Sequence, residues 1–300
     1  ESGSFDSSLG VVSTAEYGKV FISILSTTGL ELTASEKKQL VSDFAKYTVA
    51  SITPVIVDPE TTFLILDVKF KYDSSKTTLA TSQIESEVVS AITKYNTDNL
   101  EKFEGVFRHS KVTRLIDDAN TSILNNTTNV NLGKFFAPDT TAATSYNIYF
   151  NNALYNPHSG HNSSAGGILA STGFFINGDT TNEHFLDDNG AGIVRLYYVL
   201  AGNRVYVDTT AGTINYSTGA VFIESLFVTT VSDVDGATST EIRITVVPNS
   251  KDIVPVRNQT LKLDLTNSTV LGEVDTVSVG DTSAAGTYTT STSYSTPSGY

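Results

Sequence analysis

The histidines and paired aspartates are the residues of this chain with the most chemical potential. Pro157-His158-Ser159-Gly160-His161 sets two imidazoles three residues apart, a spacing that serves a metal when further ligands complete it. No Asp, Glu or third His lies beside the pair, and a loop containing Gly fixes no ligand geometry. The segment reads as an exposed polar loop without a metal. His184 with Asp187 and Asp188 could supply a base and its partners. Leu186-Asp-Asp-Asn-Gly190 is, however, turn chemistry leading into a strand, and a turn is the favoured reading. Asp233-Val234-Asp235-Gly236 begins like a calcium loop, but Ile242 stands where that loop needs its bidentate Glu, so a hairpin turn accounts for it. The chain contains no G-x-S-x-G elbow, no phosphate loop, and no carboxylate pair in an apolar pocket. Sequons such as Asn162-Ser163-Ser164 follow from a composition heavy in Asn, Ser and Thr. The expectation is therefore no catalytic residue, no cofactor and no metal, hence no enzyme.

Composition narrows the partners. Against 19 Lys and Arg stand 32 Asp and Glu, a net charge of −13, which disfavours nucleic acid because phosphate contacts need cations to replace counterions. Basic residues cluster only at Lys37-Lys38. No apolar run is long enough to cross a membrane as a helix, and the N-terminus is not signal-like. With no Cys there are no disulfides or thiolate sites, which fits assembly in a reducing cytoplasm. The chain starts at Glu1 rather than Met, which reads as a fragment or processed product, and it has no Met anywhere, where a chain of this length normally carries several. Were Met positions missing from the sequence, helix registers crossing them would move by one.

The stretch that organises the chain runs from Thr33 to about Phe107. Leu64, Leu66, Val68, Phe70 and Tyr72 alternate with Asp67, Lys69 and Lys71, the period of a strand with one dry face. Val49–Val57 reads as a second strand, closed by Asp58-Pro59 and near enough to pair antiparallel with the first. A helix opens with the capping box Thr33-x-x-Glu36 and carries Leu40, Val41, Phe44 and Tyr47. Another starts near Ser82-x-x-Glu85 with Ile84, Val88, Ile92 and Tyr95 on one side, breaks at 97–99, and resumes with Leu100 and Phe103. Upstream, Val20, Ile22 and Ile24 alternate in a strand, and downstream 110–119 reads as a short helix before a strand at 122–132. The order predicts an α+β chain whose first part is a split βαβ-like α/β sandwich with helices on one sheet face.

Beyond Pro138 no amphipathic helix is evident. Strand candidates are 146–150, 168–176, 193–200, 204–208, 220–230, 241–247 and 261–265, separated by turn pairs such as Asn189-Gly190, Gly202-Asn203, Ala211-Gly212 and Asp235-Gly236. They predict an all-β part, a sandwich or partial barrel. The expected organisation is a lead-in at 1–18, an α/β domain at 19–136, a β-rich domain at 137–275 with a long exposed loop at 151–167, and a Ser/Thr/Gly-rich tail at 276–300 docked on a sheet or partner. Phe135-Phe136, Phe174-Phe175 and Tyr197-Tyr198 put aromatics on both faces of a strand, so the second face must be covered by another sheet, the tail or a partner.

Several of these segments also resemble a known family. The segments 41–60 (through Ser51-Ile-Thr-Pro-Val-Ile-Val-Asp-Pro-Glu60), Leu66-Asp-Val-Lys-Phe-Lys-Tyr-Asp73, Tyr95-Asn96, Leu100–Phe103, Phe107-Arg-His-Ser-Lys-Val112 and Leu115-Ile-Asp117 resemble the baseplate J-like family, as represented by the large baseplate wedge subunits of contractile-tailed (myovirus) bacteriophages. Ile214-Asn-Tyr-Ser-Thr-Gly-Ala-Val-Phe-Ile223 and Val254-Pro-Val-Arg-Asn-Gln-Thr260 are similar to the same subunits. The resemblance spans roughly residues 40 to 260 and rests on the order of short motifs, none catalytic. It implies a structural virion subunit in the tail baseplate, assembled in the host cytoplasm. Such a subunit self-associates as a homodimer or ring through this C-terminal portion, contacts other baseplate wedge proteins, and transmits the change that triggers sheath contraction. The alternative is a carbohydrate- or receptor-binding virion module, suggested by the tyrosines and polar loops of the second half.

Overall fold

The computed structural model describes residues 5–6, 11–12, 18–26, 32–47, 52–156, 167–234 and 237–276. Two short strands, β1 (Phe5–Asp6) and β2 (Val11–Val12), pair antiparallel. Then β3 (Lys19–Ser23), α1 (Ala34–Ala45) and β4 (Thr53–Val57) form a β-α-β unit, with β3 and β4 parallel from Lys19 opposite Thr53 to Ser23 opposite Val57. The expected capping box opens α1: the Glu36 amide donates to the Thr33 hydroxyl at 3.3 Å, and the Thr33 amide donates to the Glu36 carboxylate at 2.8 Å.

Two expectations fail here. β4 does not pair with the next strand, β5 (Glu60–Tyr72), but with β3. Only Asp58 and Pro59 separate β4 from β5, and a two-residue hairpin needs a positive φ that neither adopts. Nor does α1 share the core of β5. It has no buried residue, Leu40, Val41 and Phe44 are half-buried, and Tyr47 is exposed. A two-stranded sheet is too narrow to bury a helix face.

β5 is the centre of the rest. Its even-numbered residues Leu64, Leu66, Val68, Phe70 and Tyr72 are all buried, and Lys69 and Lys71 are exposed, as the alternation predicts. α2 (Thr81–Tyr95) and α3 (His109–Asp117) join that face through Ile84, Val88, Ile92 and Tyr95, and through Val112 and Ile116. α2 begins earlier than expected. Its N-cap is Ala80, whose amide donates to the Gln83 side chain at 2.9 Å, so Gln83 takes the place assigned to Glu85. The expected break at 97–99 is instead a π-helical turn, Asn96–Leu100, that keeps Leu100 buried.

β6 (Ile123–Phe136) runs antiparallel to β5, from Tyr72 opposite Ile123 to Phe63 opposite Gly133. The second half of the chain contributes β7 (Thr144–Tyr149), β8 (Ala170–Ser171), β9 (Phe174–Ile176), β10 (Asp179–Asp188), β11 (Ile193–Leu200), β12 (Asn203–Asn215), β13 (Ala220–Leu226), β14 (Val228–Val231), β15 (Ile242–Val246), β16 (Gln259–Leu263) and β17 (Thr269–Val274). Together with β5 and β6 they make one sheet of 13 strands in the order β16-β5-β6-β15-β8-β10-β11-β12-β13-β7, with β9 beside β10, β14 beside β9, and β17 extending the β16 edge of β5. β16 and β17 lie end to end, both parallel to β5. The sheet curls until its last strand returns to its first members: Tyr146 of β7 stacks on Phe136 of β6 with ring centroids 4.7 Å apart. The fold is α+β, mostly β, with the helices confined to the first part among the described residues.

Several boundaries move. The strand expected over 168–176 is β8 and β9, and that over 220–230 is β13 and β14, while 204–208 lies in the first half of the longer β12. The strand β17 was not anticipated. Residues 151–156, expected as exposed loop, are tied down: Leu154 is buried, its amide donates to the Tyr216 carbonyl at 2.7 Å, and the Tyr155 amide donates to the Val247 carbonyl at 3.0 Å. The remainder of the loop at 157–166 and the tail from 277 onward lie outside the described residues.

Candidate functional site

His158, His161 and the sequon at Asn162 lie outside the described residues, as do Asp235 and Gly236. Asp233 is exposed, and the neighbouring Val234 and Ala237 exchange both main-chain hydrogen bonds at 2.9 Å, the closure of a tight turn. Among the described residues no group of three or more His, Cys, Asp or Glu is placed to hold a metal.

The reading of His184, Asp187 and Asp188 as a turn is overturned. All three belong to β10 and are buried, at 0%, 1% and 0% exposure. The turn begins only at Asn189, whose side chain accepts from the amides of Ala191 and Ile193. A carboxylate in a strand interior requires donors, and each aspartate has its own set, because successive strand residues face opposite sides. Asp187 accepts from Arg195 Nε at 2.9 Å and Nη2 at 3.0 Å, from Arg204 Nη1 at 2.5 Å and from the Tyr206 hydroxyl at 3.0 Å. The guanidiniums are held over aromatic rings, Arg195 above Tyr206 at 4.2 Å and Arg204 above Tyr197 at 4.6 Å. Asp188 accepts from the Tyr216 hydroxyl at 2.6 Å, the Leu169 amide at 2.8 Å and the Gly190 amide at 3.1 Å.

Burial pushes the Tyr197 and Tyr206 phenols up, and in Tyr206 the bond to Asp187 adds to it. Burial and then the bond to Asp188 push Tyr216 up still further. Tyr206 and Tyr216 therefore remain protonated donors to the carboxylates. With four donors on Asp187 and three on Asp188, neither carboxylate presents the free, accessible lone pair that a general base needs. The arrangement fastens β10 to β11, β12 and the turn beyond.

His184 is different. Neither ring nitrogen has a hydrogen-bond partner, and Asp179 Oδ2 stands 3.7 Å from Nε2, beyond hydrogen-bond reach. Asp179 is committed elsewhere, with its pKa lowered first by the Asn182 side-chain bond. His184 packs edge-on to Tyr198 with centroids 5.7 Å apart and lies opposite Phe174, as a core ring would. His184→Leu should leave stability unchanged or raise it by about 1 kcal/mol, since two buried unpaired nitrogens are removed. A urea melt showing a loss of more than about 2 kcal/mol would mean that the imidazole holds a partner the structure does not display.

Sequence reading missed Arg195, Arg204, Tyr206 and Tyr216. One signal was present: Arg195 is the sole charge in Ile193-Val-Arg-Leu-Tyr-Tyr-Val-Leu200, and a lone cation in an apolar strand needs a buried anion.

A second feature is a cleft of about 870 Å³ between the start of β5, the end of β6, β7 and the turn after β16. Phe63 and Phe135 meet edge to face at 5.0 Å in its lining, and Lys134 Nζ bonds Glu60 at 2.9 Å within it. Glu241 and Asp264 stand on its rim.

The family comparison divides the chain at the β4–β5 junction. Residues 10–57 match the model of the baseplate structural protein gp6, C-terminal domain I, and residues 60–134 match that of its C-terminal domain III. The baseplate wedge protein gp6 of Enterobacteria phage T4 is 27% identical over 115 residues, 38% of this chain, and the matched part spans 17% of that relative. Through β6, then, the chain is similar in two successive pieces to the C-terminal domains of a phage baseplate structural protein.

Proposed function

We propose that the chain is a non-enzymatic structural subunit of a contractile phage tail baseplate wedge, located in the virion. It self-associates as a dimer or ring, contacts other wedge proteins, and passes on the rearrangement that triggers sheath contraction. The observation that carries this reading is the match of consecutive segments, 10–57 and 60–134, to two C-terminal domains of one baseplate protein. The fold agrees with it: Asp187 and Asp188 are spent on fastening strands, and no helix among the described residues is long and apolar enough to cross a membrane. The baseplate J-like assignment belongs to the same proposal. So does the partition into 1–18, 19–136, 137–275 and 276–300, with the last segment docked on a sheet or a partner.

A self-associating subunit should bury more than about 1,000 Å² in total. Light scattering at micromolar concentration should give a mass of at least two chains, and removal of residues 276–300 should lower it without unfolding α2 and α3. A monomer with or without that segment would overturn self-association. The second reading, a carbohydrate- or receptor-binding module, draws support from the half-exposed Phe136 and Tyr149 beside the carboxylates of the cleft. Binding on a glycan array, with a monomeric mass, would favour it instead.

A further inference from the structure

The ladder between β5 and β6 stops at Phe63 and Gly133, although β5 continues back to Glu60 and β6 on to Phe136. Each strand keeps its other neighbour: β16 lies opposite Glu60 to Thr62, and β15 opposite Lys134 to Phe136. The two strands therefore splay apart and open the cleft, with the Lys134–Glu60 ion pair within it. Its third wall includes β7, the end strand of the sheet order, which among the described residues pairs only with β13.

A free strand edge is a template for another strand, and proteins usually guard it with a charged residue or a proline. β7, Thr-Ser-Tyr-Asn-Ile-Tyr from Thr144 to Tyr149, has neither. Charge then narrows the occupant. The cleft holds the carboxylates of Glu60, Glu241 and Asp264 against one ammonium, Lys134, which Glu60 already engages. Asp264 is oriented by the amide and side chain of Asn267, at 3.1 and 2.6 Å, and among the described residues no cation pairs with it or with Glu241. A second copy of this acidic chain, net −13, is a poor match for that rim.

We infer that the cleft receives an extended, Lys- or Arg-bearing segment of another protein, added as a strand along β7 with its cations toward Glu241 and Asp264. Main-chain hydrogen bonds would supply affinity and the carboxylates would choose the sign of charge. The inference rests on the assembly reading only in taking the partner to be a protein. Its test is independent of self-association, since it reads one cleft in the isolated chain.

The probes are a short fluorescent peptide alternating Lys and Val, its Glu counterpart, and the Lys peptide N-methylated at alternate amides, titrated by polarisation at low salt. The Lys peptide should bind, the other two should not, and Glu241→Lys should weaken binding by about tenfold or more. Glu241 is exposed, so that variant should keep the parent circular dichroism, and Lys38→Glu on α1 serves as a remote charge control with little effect. No binding of the Lys peptide at millimolar concentration would overturn the inference. Equal binding of the Glu peptide, or indifference to Glu241→Lys, would do the same. So would displacement of a bound peptide by maltoheptaose, which would assign the cleft to sugar.

Discussion

Asp187→Leu is expected to destabilise the chain by about 3–5 kcal/mol, the range for removing one partner of a buried ion pair. The cost comes from what remains. Arg195, at 7% exposure, would keep its charge without the two carboxylate oxygens it grips, although it also donates to the Asp188 carbonyl at 3.1 Å. Arg204 and the Tyr206 hydroxyl would lose the same acceptor. Asp187→Asn, which retains one acceptor oxygen, should cost less. Replacing Asp187, Arg195 and Arg204 together by apolar residues should recover much of the loss, because no uncompensated charge is then buried. Urea unfolding followed by circular dichroism measures all three. A cost below about 1 kcal/mol for Asp187→Leu would show that the network does not hold β10 to β11 and β12.

Phe70→Asp should cost at least as much, about 4 kcal/mol or more, since it deletes a buried ring and leaves an unpaired carboxylate in its place. Phe70 is 1% exposed and lies in the core cluster with Ile84, Val88 and Ile92 of α2. β17 also runs beside it, with Gly272 opposite Phe70 in the parallel ladder: a Cβ built on Gly272 would come within 2.7 Å of the Phe70 ring. Lys69→Asp, one residue away on the wet face, should change stability by less than about 0.5 kcal/mol. Equal effects of the two substitutions in the same denaturation assay would reject the assigned faces of β5.

The alternation over Leu64–Tyr72 determined β5, its dry face and its charged face, because a period of two needs no knowledge of the neighbours. The spacing of Ile84, Val88, Ile92 and Tyr95 determined the buried side of α2 in the same way, and Thr33 with Glu36 determined the start of α1. These are local signals, carried by residues within a turn or two of one another. A likeness to a phage baseplate protein was legible too, and at that coarser level the matches over 10–57 and 60–134 agree with it.

Pairing was decided elsewhere. Val49–Val57 and Leu64–Tyr72 both read as strands, but whether they meet depends on the φ angles at Asp58 and Pro59 and on a partner, β3, more than 30 residues upstream. The joining of both halves into one sheet depends on β15 lying beside β6, over a hundred residues away. Asp187 and Asp188 show the same limit in polar form. Leu186-Asp-Asp-Asn-Gly190 looks like a turn as long as no donors are in view, since two adjacent carboxylates in a strand interior would be prohibitively costly alone. Arg195, Arg204, Tyr206 and Tyr216 supply the donors from 8 to 28 residues further along the chain, and only the folded sheet brings them to the carboxylates.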